Sequence, residues 1–166
     1  MYKKLCFFIA SVCGVGYAPK ASGTFGSLAA LPLCWYLLTQ ASFQNLLIAI
    51  AIVFVVGWIA THKVLKYTKP DPSLVVIDEV AGQLTTFALP MYLGYIGTRW
   101  QSFLGQTNWP LLLAGFVLFR FFDIVKVWPA NYVDKKVRNA FGVMADDMIA
   151  GVYASAVLTL LAYFLK

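Results

Sequence analysis

Residues 143–151 read VMADDMIAG, which sets Asp146 and Asp147 side by side in a run that is otherwise apolar or glycine. The stretch that follows, about 147 to 165, approaches the length of a membrane-crossing helix and puts the two acids at its start. A chain this apolar should avoid such a pair. The oddity recurs as a weak repeat in VVIDEVAGQ, residues 75–83, where Asp78 and Glu79 again come shortly before an Ala-Gly pair.

The 166 residues are 61% hydrophobic with a mean hydropathy of +0.76, well above the roughly 45 to 50% apolar share of soluble domains. They read as a single membrane-embedded domain, 1–166, because no long polar linker or low-complexity tract interrupts them. The net charge of +6 suits anionic phospholipid headgroups. Nucleic acid would need a soluble basic face, which this composition does not offer. Cys6, Cys13 and Cys34 have neither zinc spacing nor an even count and read as small packing residues. His62, the one histidine, reads as interfacial beside Lys63.

The opening MYKKLCFFIASVCGVGYA has the charged start and short apolar core of a secretory signal, but residues 15–18 make a poor cleavage site. Its apolar run of about 14 residues is short against the roughly 20 that a span needs. A short interfacial or re-entrant helix is expected there. Apolar stretches at about 25–40, 45–61, 80–97, 109–127 and 147–165 then predict four or five spanning helices. The expected fold class is all-α, a compact polytopic membrane bundle. Pro32 and Pro90 fall inside two of the spans, where kinks are tolerated.

With the amino terminus cytoplasmic, Lys3, Lys4, Lys20, Lys63, Lys66, Lys69, Lys126, Lys135, Lys136 and Arg138 share one side. Arg99 and Lys166 lie opposite, as the positive-inside rule favours. Trp100 and Trp109 then fall at the outer interface and Trp128 at the inner one. This topology, set by Lys and Arg alone, also gathers acids on the cytoplasmic face. Asp78 and Glu79 begin the third span, Asp123 ends the fourth, and Asp146 and Asp147 begin the fifth.

Helix capping accounts for one acid per helix start, at about 0.3 to 1 kcal/mol each. It does not account for two tandem pairs, nor for Asp123 near a helix carboxyl end. Carboxylates crowded at the edge of low dielectric repel one another, and a divalent cation or a shift of pKa is the usual relief. Oxygen-only ligands favour Mg²⁺ or Mn²⁺ over zinc.

Positive charge lies beside them. In FRFFDIVKVWP, residues 119–129, Arg120, Asp123 and Lys126 share broadly one helical face, and Arg120 is expected to face protein or a polar cavity. In YAPKASGTFGS, residues 17–27, Gly23 and Gly26 would let the backbone approach an anion at the start of the next helix. The order of a Walker A loop is absent. So are a C-x5-R phosphatase loop, a D-x-D-x-[TV] stretch and the D-G-x-x-A-R signature of CDP-alcohol phosphotransferases, and a single histidine disfavours a histidine nucleophile. Asp134 reads as a solvated loop residue among Lys135, Lys136 and Arg138, which could gather anionic lipid.

Four blocks, GYAPKASGTFGSLAALP (16–32), VVIDEVAGQ (75–83), GFVLFRFFDIVKVWP (115–129) and GVMADDMIAG (142–151), together resemble bacterial phosphatidylglycerophosphatase A, in order across nearly the whole chain. The resemblance implies a magnesium-dependent, multi-pass enzyme of the bacterial inner membrane with its site facing the cytoplasm. It would hydrolyse phosphatidylglycerophosphate to phosphatidylglycerol and phosphate. The chain has Ile77 where the family usually shows Trp before the acid pair, and Val127 where it often shows Pro. Carried over by position, Asp78, Glu79, Asp123, Asp146 and Asp147 become the magnesium and acid/base set. Lys20, Arg120 and Lys126 would hold phosphate, with Thr24, Gly23 and Gly26 lining the pocket. Water, an aspartate or Thr24 are the candidate attacking groups. The rival reading is a membrane cation transporter or channel with carboxylate ion sites.

Overall fold

The computed structural model describes residues 2–68, 72–95 and 109–164. Among the described residues every regular element is helical, so the all-α class holds. The order is α1 (Tyr2–Ala10), a 3-10 turn (Val15–Tyr17), α2 (Ser22–Gln40), α3 (Phe43–Val64), α4 (Ile77–Thr85), α5 (Ala88–Tyr92), α6 (Trp109–Val125), α7 (Ala130–Lys136) and α8 (Ala140–Phe164). Lys69, Arg99, Trp100 and Lys166, placed by topology above, lie outside the described residues.

Helices α3, of 22 residues, and α8, of 25, are long and apolar enough to cross a membrane. At about 1.5 Å per residue they measure about 33 and 37 Å against a hydrocarbon core of roughly 30 Å. The other expected spans fall short of that measure. α2 has 19 residues with a polar start, and Pro32 sits inside it without ending it. α6 has 17 residues. The stretch at 80–97 is broken, since α4 ends at Thr85 and α5 covers only Ala88–Tyr92. The break falls where Thr85 and Thr86 turn their hydroxyls back onto the carbonyls of Ala81 and Gly82, at 2.8 and 3.1 Å; such back-bonding tends to bend helices.

The core joins these pieces. Leu46, Leu84, Phe87, Leu111, Leu112 and Leu158 are fully buried and link α3, α4, α6 and α8. Outside it, Ile48, Ile52, Val55 and Ile59 of α3, Val117, Phe121 and Ile124 of α6, and Val152 and Leu160 of α8 are all exposed. Apolar surface this extensive marks contact with lipid rather than water. This is a membrane protein.

α1 has nine residues, too few to span. Its Cys6 and Ala10 pack on Ala60 and Val64 near the end of α3. Lys3 Nζ lies 4.0 Å over the Tyr67 ring and Lys63 Nζ 5.4 Å over that of Tyr2, cation–π contacts that fix α1 across the end of α3. Cys6 and Cys34 are buried as packing residues should be, whereas Cys13 is exposed. His62 lies exposed in the last turn of α3.

The weak repeat acquires a physical meaning in the crossing of α4 and α8. A Cβ at Gly82 would stand 2.7 Å from the Asp147 carbonyl oxygen, and one at Gly151 would stand 3.0 Å from Thr85 Cβ and collide with the Gly82 carbonyl. Only glycine permits this approach of two backbones. Asn139 then starts α8 cleanly, its Oδ1 accepting hydrogen bonds from the N–H groups of Phe141 and Gly142, both at 3.0 Å.

Candidate active site

Where α2, α4 and α8 begin and α3 and α6 end, the bundle holds a cavity of about 560 Å³. Asp78, Glu79, Asp123, Asp146 and Asp147 all line it, together with Ser22, Leu65, Lys126, Asp134, Lys135 and Arg138. Acids from three helices therefore meet at one end, as their positions in the sequence anticipate.

The five acids divide by what they touch. Asp78, Glu79 and Asp147 each present a carboxylate oxygen, and these oxygens lie within 4.8 Å of one another, so the group could hold a metal ion. Asp78 and Asp147 are buried, and Glu79 Oε2 is a buried oxygen with no hydrogen-bond partner. An unsatisfied buried polar atom costs about 1 to 3 kcal/mol, more when charged. Three carboxylates so close call for a cation or for protons, and an all-oxygen donor set fits a hard divalent ion. Asp123 and Asp146 are instead engaged by cations. Arg120 Nη1 lies 2.8 Å from Asp123 Oδ2, and Lys126 Nζ lies 2.7 Å from Asp146 Oδ2.

Arg120 sits behind the cluster rather than on the cavity wall. Its Nη1 is 4.0 Å from Glu79 Oε1 and donates a hydrogen bond to Ser27 Oγ at 3.4 Å. The glycines of α2 make room for this arrangement. A Cβ at Gly23 would collide with Glu79 Oε1 and stand 3.2 Å from Arg120 Nη1, and one at Gly26 would stand 2.8 Å from Val76 Cβ and 3.4 Å from Glu79 Oε2. The close approach expected for an anion is thus made by Glu79's own carboxylate. Ala21, in the capping position before α2, offers no side-chain cap, which leaves the helix's positive end free to favour that charge. Thr24 is half-buried and Lys20 exposed, and both lie off the cavity, to which α2 contributes Ser22.

Lys126 is built into the site by its backbone. It adopts a left-handed conformation, φ 47°, in the position after a helix that usually falls to glycine. The turn brings its ammonium between Asp146 and Asp134, 2.6 Å from Asp134 Oδ1. Partial burial acts to lower the pKa of this ammonium, but the hydrogen bonds to Asp134 and Asp146 outweigh it and hold the group above the ordinary lysine value. Asp134, expected in solvent, is therefore a member of the site. No periodicity links it to Lys126, because the reversal between α6 and α7 separates them. The reversal is tied to α8 by the Tyr153 hydroxyl, which donates to the Trp128 carbonyl at 2.7 Å.

Acids and cations gathered at one end of a lipid-facing helical bundle define a membrane protein with an ionic site. The sequence profile of phosphatidylglycerophosphatase A matches residues 8–162, and the chain belongs to that family. Relatives named phosphatidylglycerophosphatase A in Escherichia coli (strain K12) and Haemophilus influenzae are each 33% identical, over 147 and 153 residues. The matches cover 87% and 92% of this chain and 76% and 85% of theirs. A third relative, from Bacteroides thetaiotaomicron, is 33% identical over 145 residues, covering 85% of this chain and 83% of its own, and carries a provisional name as a phosphatidylinositol-3-phosphatase. No solved structure matches the chain.

Proposed function

We propose that this chain hydrolyses phosphatidylglycerophosphate to phosphatidylglycerol and inorganic phosphate. The observation that carries the reading is a three-carboxylate cluster beside the fixed ammonium of Lys126, in one cavity of a chain from this family. Six carboxylates line the cavity against three cations, Lys126, Lys135 and Arg138. A phosphate monoester entering that field would be repelled unless further positive charge were present. Mg²⁺ held by Asp78, Glu79 and Asp147 would supply it, offsetting charge on the phosphoryl oxygens as the ester bond breaks.

The remaining roles follow from contacts. Lys126, presented by Asp134 and Asp146, binds a phosphate oxygen. Asp146 then orients the attacking water for in-line displacement and accepts its proton, while the departing glycerol oxygen takes a proton from solvent in the open cavity to leave as the hydroxyl of phosphatidylglycerol. Water is preferred to Thr24 because Thr24 lies off the cavity. Arg120, held by Asp123, keeps Glu79 in place from behind.

The cavity end of the bundle carries Lys126, Lys135 and Arg138, which supports a cytoplasm-facing site in a bacterial inner membrane. In that setting α2, α6 and the broken α4–α5 pair would add to α3 and α8 to make four or five crossings, with 1–166 as one domain. A transporter would more naturally hold its carboxylates near the midplane; here Asp78 and Glu79 lie in the first turn of α4, and Asp146 and Asp147 about two turns into α8.

The test is phosphate release by the purified protein in detergent. Release from phosphatidylglycerophosphate is expected with Mg²⁺ or Mn²⁺ and not with a chelator present. Chelator-insensitive turnover would remove the metal, and cleavage of phosphatidylinositol 3-phosphate alone would replace the substrate.

A further inference from the structure

Among the described residues, two cations of the cavity have no counter-ion. Lys135 and Arg138 line it and are exposed, and among the described residues neither makes an ion pair, whereas Arg120 and Lys126 are both engaged by carboxylates. The Lys126–Asp134 bridge holds α7, and Lys135 with it, against the cavity. Lys136, between them in sequence, does not line it. At about 560 Å³ the cavity is also larger than one phosphate needs, in the range of sites that enclose a whole small ligand.

We infer that Lys135 and Arg138 form a second anion subsite, which takes the phosphodiester of the lipid while its terminal phosphomonoester lies at the carboxylate cluster. The inference rests on the proposed reaction, whose substrate carries two phosphates separated by a three-carbon glycerol. The monoester is cleaved and the diester is retained. With the monoester at Asp78, Glu79 and Asp147, the diester falls toward the mouth, where the unengaged cations stand. Leu65 and Ile124 also line the cavity and are apolar, and Ile124 is exposed on the lipid-facing surface, so the acyl chains leave toward lipid. A lipid monophosphate without the diester would leave both cations unused. Recognition of the paired phosphates then sets the preference for phosphatidylglycerophosphate over phosphatidate.

The test compares wild type, the double variant Lys135→Ala/Arg138→Ala and the neighbouring variant Lys136→Ala in neutral detergent micelles with Mg²⁺. Two quantities are read: the ratio of kcat/KM for phosphatidylglycerophosphate over phosphatidate, and inhibition by two soluble probes, glycerophosphoglycerol and inorganic phosphate. In the double variant the ratio falls and the inhibition constant of the diester rises, each by about tenfold or more, while that of phosphate stays within about twofold. Lys136→Ala shifts neither. Equal losses on both lipids, or losses matched by Lys136→Ala, would reduce these cations to general attraction for anionic surfaces and overturn the subsite. Wild type that cleaves both lipids equally well would leave the phosphatase reading standing and end the subsite. Wild type that cleaves neither would end both.

Discussion

Gly151 meets the backbone of Gly82 so closely that a Cβ on Gly151 would stand 3.2 Å from the Gly82 carbonyl carbon. That contact sets the separation of α4 and α8, and hence of Asp78 and Glu79 from Asp147.

Gly151→Ala is therefore expected to wedge the two helices apart. Overpacking of this sort costs about 1 to 3 kcal/mol, and the carboxylate cluster would open with it. Thermal unfolding in detergent should show a lower midpoint, and phosphate release should fall at least in proportion. Unchanged stability would mean that the crossing relaxes without strain.

Asp147→Asn separates the cluster's electrostatics from its chemistry. Without metal, removing one of three crowded negative charges relieves repulsion, so the variant in chelator should melt no lower than wild type. With saturating Mn²⁺, wild type should gain about 2.7 kcal/mol at a hundredfold excess over Kd, and the variant should gain little. Turnover is expected to drop by about a thousandfold, the scale of losing a positioned electrostatic stabiliser. A full metal-induced shift in the variant would move the ion elsewhere.

Lys126 combines a left-handed backbone with a partly buried ion triad, and two substitutions pull these apart. Lys126→Gly removes the conformational cost of about 1 to 2 kcal/mol together with the ammonium. Lys126→Met removes the ammonium and keeps the cost. Both should lose at least about a hundredfold in phosphate release, in line with removal of an electrostatic donor, and the Gly variant should melt higher than the Met variant. The reverse order of melting would show that the φ of Lys126 carries no strain.

The same lysine predicts a pH dependence. Its folded pKa is raised above the unfolded value of about 10.4, so its pairing contributes fully below that value and is lost only as pH climbs through the folded one. Asp134→Asn removes one partner and should lower stability by an amount that stays constant from neutral pH to about 10, then shrinks. Melting curves of both proteins across that range check it. A gap that closed between pH 6 and 9 would assign the effect to another group.

Much of this was legible in the residues. Hydropathy alone marks 147–165 as apolar enough to span, and the acids at the ends of the apolar stretches do come to one cavity, although the helix that carries Asp146 and Asp147 begins earlier, at Ala140. The broken helix at 80–97 was not legible, because Thr85 and Thr86 are ordinary residues until their hydroxyls turn back on the ladder. Neither was Asp134, whose partner lies across a chain reversal. Gly23 and Gly26 are positions of close approach, but what approaches them is Glu79 and not the bound anion that the sequence led one to expect.

By itself the sequence determined what depends on local order: helical segments apolar enough for lipid, and acids and bases placed at segment ends, since hydropathy and chain position do not change on packing. The tertiary structure alone decided which acids share oxygens within 4.8 Å and which are taken by Arg120 or Lys126. That choice turns on the rotation of each helix and on a crossing distance set by two glycines, and neither quantity is written in any one segment.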